Sequence, residues 1–218
     1  MTKYIDTKYA VVMSIFVIAI IICLIVGVVY TTNTKQYKNE YPYQVYRGNI
    51  ELKLQQSKGL LVDEIDNYIK KVAPTSNINS RVLFELCDEY NIDVKFVLAQ
   101  GHIESHFGTK GLALKTNSVF NVFAYDGKSY SQICKKGKYS HPDHSIKPYL
   151  ELLVNDYMVD GKNEYDLLDE FVNKNGDRYA SATDYEIKLS NTFNNISDST
   201  QIDFLYKQYK KYQILSGR

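Results

Sequence analysis

Gln100, His102, Glu104 and His106 stand at alternate positions of one short stretch, and each could take part in chemistry. On a helix, Gln100 and Glu104 are i and i+4 and share a face. His102 and His106 form a second such pair. A carboxyl held against apolar side chains near a helix end is hard to ionise. That is what a general acid working near neutral pH requires. The histidine pair has the spacing that zinc-binding helices use. In the metalloprotease order H-E-x-x-H, however, the glutamate directly follows the first histidine. Here the order is His102-Ile103-Glu104-Ser105-His106, and a third ligand would have to come from His141 or His144. Two solvent-facing histidines is the simpler reading, and no metal or cofactor is expected.

The element that must position Glu104 is a helix from Asp93 to Gly108. Asp93 suits the N-cap, where its carboxylate can accept from first-turn N–H groups. Phe96, Ile103 and Phe107 fall on one face with Val97 beside them, and Gly108 supplies a stop. Gly101 in mid-helix costs about 1 kcal/mol relative to Ala, which predicts close approach of another element or a ligand. Helical periodicity surrounds this stretch. Leu60, Leu61, Ile65, Tyr68, Ile69 and Val72 form one apolar face that ends before Pro74. Ser80 is expected to cap the next helix, with Val82, Leu83, Leu86 and Tyr90 facing the core. Further helices are predicted over 145–160, 164–174, 182–195 and 200–214. Residues 109–144 read as loop, with a small hairpin between Val119 and Tyr139. The pattern predicts a mainly α domain whose polar lobe forms a cleft wall.

The chain has 218 residues and a formal net charge of +1. That gives room for one globular domain plus accessories, and no charge excess that would suggest nucleic acid. Three cysteines, Cys23, Cys87 and Cys134, make no disulfide framework or metal pattern. Two free thiols are the expectation for Cys87 and Cys134, with a bridge between them as the alternative. Ala10 to Tyr30 is uncharged and rich in Val and Ile, matching the roughly 20 apolar residues that span a bilayer. It is longer than a signal-peptide core and lacks an A-x-A cleavage pattern. The domain expectation is therefore a cytoplasmic tail at 1–9, a transmembrane helix at 10–30, a stalk at 31–58 and a folded domain at 59–218. Lys3 and Lys8 on one side nearly balance Lys35 and Lys38 on the other, so charge does not set orientation. Within the stalk, Ile50, Leu52 and Leu54 alternate with polar residues after Gly48-Asn49, which reads as a hairpin over Gln44–Leu54.

Four blocks carry a family resemblance. Ala99-Gln-Gly-His-Ile-Glu104-Ser-His-Phe-Gly108 resembles the A-Q-x-x-x-E-S-x-x-G signature of bacterial and phage peptidoglycan hydrolases. Asn121-Val-Phe-Ala-Tyr-Asp-Gly127 resembles the N-x-F-G-I-K-G turn of the glucosaminidase type, glycoside hydrolase family 73. Tyr139 with Ser145-Ile-Lys-Pro-Tyr149 resembles that family's Y-x-S…S-I-x-x-Y segment. Tyr179-Ala-Ser-Ala-Thr-Asp-Tyr185-Glu-Ile-Lys-Leu189 resembles its Y-A-T-D-x-x-Y-A-x-K-L block. The likeness covers about residues 62–198. It implies a lysozyme-like α+β domain with a small loop or hairpin lobe, Glu104 as general acid and Tyr179 as an active-site tyrosine. Gln100, Asn121, Phe123, Tyr125 and Tyr139 become expected substrate-binding positions.

The chain also departs from the family. Ala124 stands where the turn has Gly, and the lobe between Gly127 and Tyr139 contains no glutamate. The usual glycosidase needs two carboxylates. Asp126 is the candidate second one, with Asp143 the other acid nearby; the alternative is attack by the substrate's own 2-acetamido oxygen. The expectation is a membrane-anchored hydrolase with its catalytic domain outside the cytoplasm. Its substrate would be peptidoglycan glycan strands, cut between N-acetylglucosamine and N-acetylmuramic acid. A lytic transglycosylase is one alternative. A non-enzymatic wall-binding or virion structural protein is another. Nothing in the sequence names a protein partner.

Overall fold

The computed structural model describes residues 21–22, 44–124 and 127–218. The expected span Ala10 to Tyr30 lies outside them except for Ile21 and Ile22, as do the tail at 1–9, the stalk up to residue 43, and the site candidates Tyr125 and Asp126. Among the described residues no helix is long and apolar enough to cross a membrane. The chain divides into two units, Met1–Lys53 and Leu54–Arg218.

In the first unit the described residues, 21–22 and 44–53, are helical. The hairpin expected over Gln44–Leu54 is therefore wrong. Alternation of Ile50, Leu52 and Leu54 fitted a strand, but Ile50 and Leu54 are buried while Leu52 is 57% exposed. A strand would bury Ile50 and Leu52 together, whereas on a helix residues two apart face different sides.

The second unit opens with helix α1, 54–72, which buries Leu54, Leu61, Ile65 and Ile69 and stops before Pro74 as expected. Helix α2, Ser80–Glu89, is capped by Asn79 rather than Ser80: the Asn79 side chain accepts from the N–H groups of Arg81 and Val82. Asn caps as well as Ser does, and Ser80 instead donates to Asp66 Oδ1 at 2.9 Å. Helix α3, Val94–Ser105, is buried on every side from Val94 to Gly101, the mark of a helix at the centre of a core. Asp93 caps it as expected, accepting from Lys95 N at 2.9 Å.

Helix α7, Tyr185–Ser199, packs along α3, and α8, Ile202–Ser216, follows it. The buried Lys95 ties the three together: its Nζ donates to Ser197 at 2.7 Å, pairs with Asp203 at 2.9 Å and lies 3.9 Å from the centre of the Phe193 ring. Between α3 and α7 the chain makes a short helix α4, Ala113–Thr116, then α5, Tyr130–Gly137, and α6, Ile146–Leu152, which widens into a π-helical turn over Leu153–Tyr157.

The lobe is not a hairpin. Ser129 and Gln132 form a reciprocal capping box that starts α5, satisfying two free N–H groups at once. Nor is 164–174 a helix: a single 3₁₀ turn at Asp166–Leu168 gives way to an isolated antiparallel bridge between Val172 and Arg178. No sheet forms among the described residues, so the fold is mainly α with a lobe of short helices and turns. Cys87, buried, and Cys134, half-buried, are free thiols.

Candidate active site

Helix α3 ends at Ser105, three residues before the expected stop at Gly108. His106, Phe107 and Gly108 then all take left-handed backbone, with φ of 47°, 53° and 85°. The N–H groups of His106 and Phe107 close onto the carbonyls of His102 and Gly101, the αL ending that satisfies last-turn carbonyls. Glu104 is thereby held in the last turn. Gly101 has its reason here: a Cβ at that position would come within 3.0 Å of the Phe107 ring and 3.5 Å of Phe120. An element, not a ligand, makes the close approach.

Two side chains hold the Glu104 carboxyl. Tyr185, at the first turn of α7, donates its hydroxyl to Oε1 at 2.5 Å. Asn121 donates Nδ2 to Oε2 at 3.2 Å and to the Glu104 carbonyl at 3.1 Å. Behind Tyr185, the fully buried Gln100 donates Nε2 to the phenol oxygen at 2.8 Å. A chain of donors thus runs from Gln100 through Tyr185 to Glu104. Burial pushes the Glu104 carboxyl above its ordinary value of 4.5, and the bonds from Tyr185 and Asn121 pull the other way without cancelling it. Burial, with the Glu104 charge beside it, drives the Tyr185 phenol well up, so Tyr185 stays a donor.

Glu104 faces a cleft of about 460 Å³. The turn 120–124, Leu152 at the end of α6, Tyr157 of the π-helical segment and residues 178–182 also line it. Such widened turns recur at functional sites. In the turn, Asn121 and Phe123 have φ of 50° and 67°, and left-handed backbone at an aromatic residue is a genuine outlier. The turn is backed by α5, where a Cβ on Gly137 would lie 2.7 Å from the Val122 carbonyl oxygen. Tyr179 lines the cleft, stacks on Phe171 with ring centres 4.5 Å apart, and donates to the Phe120 carbonyl at 2.8 Å.

The expected site residues therefore divide. Glu104, Asn121, Phe123 and Tyr179 meet at the cleft. Gln100 lies beneath it, one hydrogen bond removed from Glu104. Tyr139 does not line it; its backbone bonds to Thr116 and Asn117 and its hydroxyl is buried. Asp143 is occupied elsewhere, accepting from Asn79 N at 2.8 Å and pairing with His141. Among the described residues lining the cleft, Glu104 is the one carboxylate. His102 shares a 2.7 Å hydrogen bond with Tyr68 and packs edge-on against His106. Among the described residues no three acidic, histidine or cysteine groups cluster closely enough to hold a metal. Sequence reasoning missed Tyr185, read only as a member of the last family block, and Arg178, which lines the cleft. Their signal was position: Tyr185 shares a block with Tyr179, and Arg178 directly precedes it.

One hard-to-ionise carboxyl in the wall of a cleft this size is suited to protonating a glycosidic oxygen. The comparison with known families agrees in class. Residues 81–198 match the glucosaminidase family, described as mannosyl-glycoprotein endo-beta-N-acetylglucosaminidase. The match spans more than half of the chain, from α2 to α7, and the chain belongs to this family. It is a glycoside hydrolase of the endo-β-N-acetylglucosaminidase type that acts on peptidoglycan. No curated protein matches the chain.

Proposed function

We propose that the protein cleaves the β-1,4 bond between N-acetylglucosamine and N-acetylmuramic acid in glycan strands, with Glu104 as the general acid. The observation that carries this is the Glu104 carboxyl at the cleft, raised by burial and held by Tyr185 and Asn121. In the first step Glu104 protonates the leaving oxygen as the bond to C1 breaks. In the second, its carboxylate takes a proton from the incoming water. Two groups could attack C1: Asp126, which lies outside the described residues, or the substrate's own 2-acetamido oxygen. On the second route the oxazolinium ion formed is then opened by water. Tyr179 bounds the reacting centre, and its oxygen can stabilise developing positive charge. Phe123 offers a ring for the apolar face of a sugar. Ala10 to Tyr30 would anchor the chain, placing the catalytic domain outside the cytoplasm, where peptidoglycan lies.

One carboxylate also suits a lytic transglycosylase, in which the sugar's own 6-hydroxyl displaces the leaving group. Digestion of purified sacculi with the full chain, followed by product masses, separates the two. Reducing N-acetylglucosamine ends are expected. Anhydromuramyl ends would transfer the assignment to the transglycosylase.

A further inference from the structure

Arg178 is the one cation among the described residues that line the cleft. It is not a loose surface arginine. Its backbone bridges to Val172, and the turn between them is closed by bonds from Asn173 N to Asp177 O and from Gly176 N to Asn173 O, both 2.9 Å. Immediately after it, Tyr179 N bonds Phe171 O at 2.9 Å, so Arg178 and the cleft-lining Tyr179 share one pinned segment. At the side-chain end, Nη2 pairs with Glu186 on the first turn of α7, and Glu186 also accepts from Phe171 N. One guanidinium nitrogen is thus held from behind. The side chain remains 38% exposed, leaving donors of its planar fork for a second carboxylate. Beyond it, Ala180, Ser181 and Ala182 line the cleft with small side chains, leaving room for a substituent on the glycan.

We propose that Arg178 binds a carboxylate of the substrate, making it a specificity residue for the acidic glycan of the cell wall against neutral N-acetylglucosamine polymers. This rests on the peptidoglycan reading of the same cleft. Two sources carry that chemistry: the lactyl group of N-acetylmuramic acid where no peptide is attached, and the free carboxylates of a stem peptide.

The test uses the full chain and three oligosaccharides of alternating N-acetylglucosamine and N-acetylmuramic acid. The first has free lactyl carboxylates, the second has them as methylamides, and the third carries stem peptides with free carboxylates. The wild type is expected to show about tenfold lower KM on at least one acidic substrate than on the methylamide, and Arg178→Gln to lose that advantage, its KM rising more on that acidic substrate than on the methylamide. Arg178→Lys keeps part of it, because charge survives without the fork. Preference for the first substrate names the lactyl group; preference for the third alone names the stem peptide. Equal KM on all three for the wild type, or an equal rise on all three in Arg178→Gln, overturns the proposal. Binding of the same oligosaccharides in a Glu104→Gln background reads the preference without cleavage. Failure of the hydrolytic reading and failure of this one are therefore separate results.

Discussion

The two walls that meet at Glu104 are built by opposite means. One is regular: α3 and α7 pack as long helices, joined by Gln100, Tyr185 and the Lys95 pairings. The other is a run of short helices and turns in which Asn117, Asn121 and Phe123 all hold left-handed backbone. The regular wall supplies the carboxyl and the phenol that donates to it. The irregular wall supplies Asn121 and much of the cleft's surface. The division separates two tasks. Helix packing fixes an acid to within the tolerance that proton transfer needs, while a turn held in sparsely populated backbone shapes the space beside it.

Removing the acid gives the largest effect. Glu104→Gln should lower muropeptide release by about a hundredfold to ten-thousandfold. Stability should move the other way. Because the folded state raises this carboxyl above 4.5, its favourable contribution is complete below that pH and is lost as pH climbs through the folded value. The amide has no charge to desolvate. The variant's thermal midpoint at neutral pH should equal or exceed that of wild type, with the gap closing in acid.

Breaking the irregular wall from behind comes next. In Gly137→Ala the new Cβ would lie 2.7 Å from the Val122 carbonyl oxygen, so the turn carrying Asn121 and Phe123 must shift. A stability loss of about 1–3 kcal/mol is expected by calorimetry. The fall in kcat, roughly tenfold or more, would come without any change to a side chain that touches substrate.

Tyr185→Phe tests the regular wall with the smallest change. It deletes one donor to Glu104 and leaves Gln100 Nε2 without its acceptor, at a cost of about 1–3 kcal/mol in stability. The bond it removes lowers the Glu104 value, so its loss raises it further. The alkaline limb of kcat/KM should move to higher pH, with about fivefold or less change at the optimum.

The same division separates what the sequence makes legible from what it hides. Asp93 as cap and the stop before Pro74 are local signals, and they hold in the fold; the single apolar face read for α3 does not, because the helix is buried on every side from Val94 to Gly101 and Phe107 lies beyond its end. The hairpin over Gln44–Leu54 fails because alternation across five residues fits a strand as well as a helix; only the burial of Ile50 and Leu54 tells them apart. Helix α5 escapes a periodicity reading although Ser129 and Gln132 spell a capping box, since eight residues with few apolar positions give a weak periodic signal. Asn121 is legible through motif order, but not its bond to Glu104. Tyr185 is legible as a member of the last block and not as the partner of the acid. Its role depends on how α7 is rotated against α3, and no spacing along the chain encodes that rotation.

The measurement closest to the central claim is the titration of Glu104 itself. With side-chain carboxyls labelled with carbon-13, the resonance absent from Glu104→Gln can be followed with pH in the full-length wild-type chain. A midpoint above 4.5 that coincides with the alkaline limb of kcat/KM is predicted. A midpoint at or below 4.5, or one unconnected with that limb, would contradict Glu104 as the acid.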